Sequence, residues 1–135
     1  KIYDWVPFHK IQSVIDKQKA EVRRRAKIFR NGSPLPPIAG RTVIVVDDGI
    51  AMGSTMQAAV MLCRNKEAKK IVVAAPVAAM STAMEMAKIA DDVVIVEKPS
   101  EFRAVADFYE NWHDVLDEDV IEIMQKSVLE GKKNA

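Results

Sequence analysis

Three short runs, Thr42 to Val46, Ile71 to Ala75 and Val93 to Val96, are apolar almost without interruption and rich in β-branched residues. A strand with one wet face alternates polar and apolar positions, so unbroken runs of this kind predict strands of a parallel sheet that is covered on both faces. Between them lie two stretches of helical character, from about Ser54 to Arg64 and from about Thr82 to Ile89. Pro76 closes the second run, and Thr82 followed three residues later by Glu85 predicts a capping box at the second helix. The order βαβαβ implies an α/β fold, a Rossmann-like parallel sheet with flanking helices and right-handed crossovers.

The flanks follow different periods. From about Pro7, Ile11, Val14, Ile15, Gln18, Val22, Ala26 and Phe29 share one face of a predicted helix, while Lys17, Lys19, Arg23, Arg24, Lys27 and Arg30 occupy the other. Asn31-Gly32 supplies its stop. The run Arg23-Arg24-Arg25 could meet a phosphate, but a solvated helix face is the better reading of such a charge run. Ser33 to Gly40 is a Pro-rich connector that suits neither a helix nor a central strand. After the third strand, Glu97 to Asp114 is an aromatic loop with Phe102, Phe108, Tyr109, Trp112 and His113. A last amphipathic helix is predicted from about Asp117, as N-cap, to Leu129, with Gly131 as its stop.

Length bounds this to one domain over residues 1–135: a leading helix (1–32), the βαβαβ segment (41–96), and the aromatic loop with the C-terminal helix (97–135). The chain has 20 Lys plus Arg against 19 Asp plus Glu, so no single-sign field draws it to nucleic acid or to a lipid surface. No apolar run approaches the roughly 20 residues that cross a bilayer. The single cysteine, Cys63, has no disulfide partner, and the cytoplasm is the expected location. The chain opens on Lys1 rather than Met, which suggests a longer parent polypeptide.

Chemistry concentrates at the end of the first strand. Ligands of open parallel sheets bind beyond the carboxyl ends of the strands, where Asp47 and Asp48 fall. Two adjacent carboxylates accept hydrogen bonds from a vicinal diol, or hold hydrated Mg²⁺ through oxygen. Gly49, Ala51, Gly53 and Ser54 add little bulk, so the loop can turn main-chain N–H groups toward an anion at a helix N-terminus. The Ser54 and Thr55 hydroxyls add donors. A ligand with a ribose diol and a nearby phosphate satisfies both halves. His9 and His113 have no ligand-like spacing and receive no role.

The stretch Val43 to Thr55 resembles the signature of type I phosphoribosyltransferases that binds phosphoribosyl pyrophosphate (PRPP): an apolar strand, two acids, then a small-residue loop with Ser or Thr. The resemblance extends to Gly40-Arg41-Thr42, Pro76-Val77-Ala78, Phe102-Arg103-Ala104-Val105 and Phe108-Tyr109, and looks most like the C-terminal part of an uncharacterised bacterial or archaeal member. It implies that Asp47 and Asp48 bind the ribose hydroxyls and serve catalysis, and that Ala51, Met52, Gly53, Ser54 and Thr55 bind the 5′-phosphate. It implies further that Mg²⁺ accompanies PRPP and that phosphoribosyl passes to a nitrogenous base with release of pyrophosphate; Phe102, Phe108, Tyr109 or Trp112 of the aromatic loop then either stack on the base as a hood or pack in the core, the second reading being at least as good as the first. Homo-oligomerisation, or association with a segment preceding Lys1, is expected, because family members carry two further strands upstream that residues 1–42 do not supply.

Two positions depart from the family pattern. Met52 stands where a hydroxyl-bearing Thr is usual, and Ala51 stands where members acting on hypoxanthine or guanine carry an acid. The alternative reading is a non-catalytic module, or an inactive fragment, that binds PRPP or a nucleotide. A nucleoside triphosphatase is disfavoured because no GxxxxGK[ST] precedes the acids.

Overall fold

The computed structural model describes residues 7–133, with side chains to Lys126. In chain order the elements are α1 (Phe8–Phe29), β1 (Thr42–Val46), α2 (Ser54–Asn65), β2 (Lys70–Val77), α3 (Met80–Met86), β3 (Asp92–Glu97) and α4 (Asp117–Lys133), with a 3-10 turn over Val105–Phe108. They fall into two compact units, one of residues 36–112 and one that joins the chain up to Leu35 with the chain from His113 onward.

The first unit is built on a parallel sheet of order β1-β2-β3, with Thr42 opposite Lys70 and Val72 opposite Asp92. Helix α2 packs on β1 and β2, and α3 on β3. Right-handed crossovers that step in one direction along a sheet place their helices on the same side. That side holds the core: Ile71, Val60, Val73, Met86 and Val77 are fully buried, each contributing about 1.5–3 kcal/mol. Cys63 is a free thiol within the same cluster.

The opposite face differs from the expectation of strands covered on both sides. Ile44, Val46 and Val96 are 62%, 70% and 82% exposed, and Val94 is exposed as well. The single-sided stacking of α2 and α3 is the reason, since no element of this unit crosses to the other face.

Four further expectations change. Strand β2 does not end at Pro76 but continues to Val77. The Ala74 carbonyl accepts the Asp47 N–H, so alternate residues of β2 face β1. The Pro76 position comes next on that side, after β1 has ended, and no ladder donor is needed there. Helix α3 starts two residues before Thr82, with Ala79 at its N-cap and no side-chain cap, so Thr82 lies within its first turn. Helix α4 continues through Gly131 to Lys133, since glycine stops a helix only when it adopts the left-handed conformation. Its N-cap is Leu116 rather than Asp117: the Leu116 carbonyl accepts the Val120 N–H, and the Asp119 carboxylate reaches back to the Leu116 N–H at 3.0 Å.

In the second unit, α1 ends as predicted. Asn31 and Gly32 take φ of 47° and 75°, and the Gly32 N–H closes on the Lys27 carbonyl at 2.9 Å. Arg24 and Arg25 are tied to Glu21 and also to Asp117 at the start of α4. The arginine run is therefore largely neutralised within its own unit. Hydrogen bonding to Arg24 holds the Glu21 carboxyl down at about 2. Among the described residues, no helix is long and apolar enough to cross a membrane.

Candidate phosphate and ribose site

Strand β1 delivers Asp47 and Asp48 just past its C-terminal end. Asp47 is half-buried and Asp48 exposed. The Asp48 N–H donates to Asp47 Oδ1 at 3.0 Å. Burial pushes the Asp47 carboxyl above its ordinary value; that hydrogen bond opposes the shift and the Asp48 charge adds to it.

Beyond the acids the chain folds back against the sheet. Ile50 is buried, its N–H donates to the Val77 carbonyl at 2.9 Å, and its carbonyl accepts the Ala79 N–H at 3.1 Å. Gly49 lets the chain pass beneath Val105: a Cβ on it would lie 2.5 Å from Val105 Cγ1. Gly53 is the N-cap of α2 with φ of 76°, and a Cβ there would lie 2.7 Å from Thr82 Cγ2. Both glycines are thus required by geometry.

The resulting cavity, about 270 Å³ and open to solvent, is lined by Asp47 and the run from Gly49 to Met56. It brings Asp47 together with the five residues expected to bind phosphate, whereas Asp48 does not line it. Ser54 and Thr55 are exposed at the start of α2, and Met52 is 83% exposed.

Most main-chain carbonyls of the loop are engaged, while its N–H groups from Ala51 to Thr55 are not. The carbonyls of Asp48, Ile50, Ala51 and Gly53 are all engaged, by the Tyr109 hydroxyl (2.6 Å), the Ala79 N–H, the Thr82 hydroxyl (2.6 Å) and the Gln57 N–H. Among the described residues, none of the N–H groups from Ala51 to Thr55 donates to a protein acceptor. Such a loop, with carbonyls tied back and donors free at a helix N-terminus, has the polarity of an anion cradle.

The aromatic segment packs over the acidic turn. Phe102 and Phe108 stack at 5.4 Å, and Tyr109 meets Trp112 edge-on at 5.3 Å. Among the described residues, no group of three or more His, Cys, Asp or Glu side chains could enclose a metal ion.

A family model described as "Phosphoribosyl transferase domain" matches residues 5–111. The chain belongs to the type I phosphoribosyltransferase family. It is similar to the Mycobacterium tuberculosis proteins named "Putative phosphoribosyl transferase MT0597" (strain CDC 1551) and "Putative phosphoribosyl transferase Rv0571c" (strain H37Rv). Each is 36% identical over 117 residues, which is 87% of this chain and 26% of theirs. The chain therefore spans about a quarter of the length of these curated relatives. Among solved structures it is similar to TT1426 from Thermus thermophilus, with a TM-score of 0.77 and 31% identity over 92% of this chain and 59% of that one. The phosphoribosyltransferase fold read from the sequence is thus the observed one.

Thr82 and Tyr109 are the site residues that sequence reading missed. The sequence pattern places Thr82 in a helix cap and Tyr109 in base stacking or core packing. Neither pattern signals a side chain that reaches a main-chain carbonyl distant in sequence.

Proposed function

We propose that this site binds the ribose 5-phosphate moiety of PRPP, and that the protein of which this sequence forms part transfers phosphoribosyl to a nitrogenous base with release of pyrophosphate. One observation carries the reading: Asp47 and the run from Ala51 to Thr55, whose main-chain N–H groups have no protein acceptor among the described residues, line one cavity. Its size suits a sugar phosphate and falls below the roughly 300–1,000 Å³ of sites that engulf larger ligands.

In this reading the loop N–H groups and the Ser54 and Thr55 hydroxyls hold the 5′-phosphate, and Asp47 and Asp48 accept hydrogen bonds from the ribose diol. With the sugar held at both ends, the anomeric carbon is fixed in position for displacement. Its bond to the pyrophosphate oxygen breaks with the electron pair leaving on oxygen, and a bond to the base nitrogen forms. Positive charge develops on the ring in the transition state, and the carboxylates that accept its hydroxyls stabilise that charge. Two adjacent carboxylates, one already engaged by a main-chain N–H, suit a hydrated Mg²⁺ that arrives with its ligand better than an all-protein cage. When bound, Mg²⁺ neutralises the leaving group.

Calorimetry with PRPP and Mg²⁺ tests the reading. Binding to the wild type should weaken at least tenfold in Asp47→Asn and in Asp48→Asn, about the worth of one hydrogen bond to a charged group. Binding indifferent to both changes would refute it.

A binding-only role, as a module that senses PRPP or a nucleotide, is favoured by one observation: the exposed thioether of Met52 stands where the family usually places a hydroxyl. Pyrophosphate release with a panel of bases separates the two, since a sensor binds PRPP and releases none.

A further inference from the structure

The engagement of the loop's main-chain carbonyls depends in part on two side chains from elsewhere in the fold. A trans peptide is planar, so its C=O and N–H point in opposite directions. No peptide among the described residues is cis. Fixing a carbonyl from one side therefore aims the following N–H to the other. The Thr82 hydroxyl holds the Ala51 carbonyl at 2.6 Å and so aims the Met52 N–H. The Tyr109 hydroxyl holds the Asp48 carbonyl at 2.6 Å and so fixes the peptide that joins the two acids to the loop. Both Met52 and Gly49 line the cavity.

We propose that Thr82 and Tyr109 are positioning residues that set the two halves of the site independently, Thr82 the phosphate half through Ala51 and Tyr109 the carboxylate half through Asp48. This rests on the ribose-phosphate reading above. Thr82 is well placed for the task, because it is 6% exposed and its hydroxyl has little freedom to take another partner. A buried donor on a carbonyl also removes the penalty that the carbonyl would otherwise incur. The arrangement explains how the loop works with methionine at position 52. Met52 offers no hydroxyl to an anion, so what that position contributes is its main-chain N–H, and Thr82 determines where that N–H points. Tyr109 acts at the other end, where its peptide partner is the hinge between the two acids and the loop. It belongs to the aromatic segment, so the main chain at Asp48 is held by a residue of the segment that would cover a base.

The test compares two probes, inorganic phosphate and ribose 5-phosphate, on the chain as it stands. Thr82→Val should weaken both by about tenfold, the loss of one well-aimed hydrogen bond to a charged group, and Thr82→Ser should restore both. Tyr109→Phe should weaken ribose 5-phosphate alone. In ¹H–¹⁵N spectra the Met52 amide should move on phosphate addition in the wild type and in Thr82→Ser but not in Thr82→Val, with thermal melts verifying that each variant is folded. A folded Thr82→Val with wild-type phosphate affinity, or a Tyr109→Phe that weakens both probes equally, overturns the assignment. Failure of the wild type to bind either probe would instead overturn the ribose-phosphate reading, and with it the role given to both residues.

Discussion

Val105 closes over Gly49 so tightly that a methyl group on Gly49 would sit 2.5 Å and 2.7 Å from its two Cγ atoms. The acidic turn and the aromatic segment are thereby packed as one body. Gly49→Ala should destabilise the fold by about 1–3 kcal/mol, the range for overpacking, and Val105→Ala in the same chain should recover more than half of that loss. Urea unfolding of the two single variants and the double variant measures the coupling. Additive effects would mean that the contact is not the cause.

Gly53 carries two constraints at once. Its φ of 76° costs a residue with a side chain about 1–2 kcal/mol, and its missing Cβ would press on the buried Thr82 methyl. Gly53→Ala should therefore cost about 2 kcal/mol or more in denaturant unfolding. An unchanged midpoint would show that the N-terminus of α2 can rebuild around alanine.

Asp47 should be a residue that costs stability where it is ionised. Burial raises its carboxyl in the folded chain above the unfolded value of about 3.9. The folded state thus binds the proton more tightly, and stability falls as pH rises through that interval. Asp47→Asn removes the titration, so its stability gain over the wild type should be absent below the unfolded value and full at neutral pH. Paired unfolding curves at several pH values measure the difference; a gain that did not change with pH would contradict the burial argument.

Asp91 has the opposite sign. It accepts Arg64 Nη2 at 2.8 Å and the Ile71 N–H at 2.6 Å, and the Arg64 hydrogen bond, then that of Ile71, holds its carboxyl below the ordinary range. Its contribution is present above the unfolded value and lost as pH falls through the folded one. Asp91→Asn should lower the Tm at pH 7, and the gap to the wild type should narrow in acid. Thermal melts from pH 7 to pH 3 test this.

The exposed sheet face should bind apolar probes. Ile44→Thr with Val96→Thr keeps β-branched residues in the strands, so each should change stability by no more than about 0.5 kcal/mol. Fluorescence of an apolar dye and light scattering should both fall. Unchanged signals would place the dye-binding surface elsewhere.

The parts of this molecule legible in the sequence are those set by local chemistry. The apolar run of β1 and the small residues after Asp48 declare a strand and a loop wherever they occur, and both were found at their predicted places. Thr82 illustrates the limit. Threonine with Glu85 three residues on has the form of a cap, yet the helix starts earlier, at Met80, and the Thr82 hydroxyl donates to Ala51, 31 residues away, across the packing of α3 beside the loop. Tyr109 reaches 61 residues back to Asp48, and no periodicity encodes such a distance. The sheet's uncovered face was missed for a similar reason. Apolar composition indicates which residues favour burial, while the direction in which successive crossovers step decides which of them are buried.

The all-parallel ladder also has a kinetic meaning. No hairpin can start it: the pairing of Ile71 with the segment around Asp91 must span 20 residues and enclose a whole helix before a single bond of the sheet is gained. Loop-closure entropy is spent early and returned late, which slows folding of strand-dominated topologies. The turn from Asp47 to Thr55 has short-range sequence preferences of its own, but the hydroxyls that orient it arrive with α3 and with Tyr109. The loop therefore completes its carbonyl hydrogen bonds only once α3 and Tyr109 have docked, and a chain halted before that would hold its acids without those two bonds.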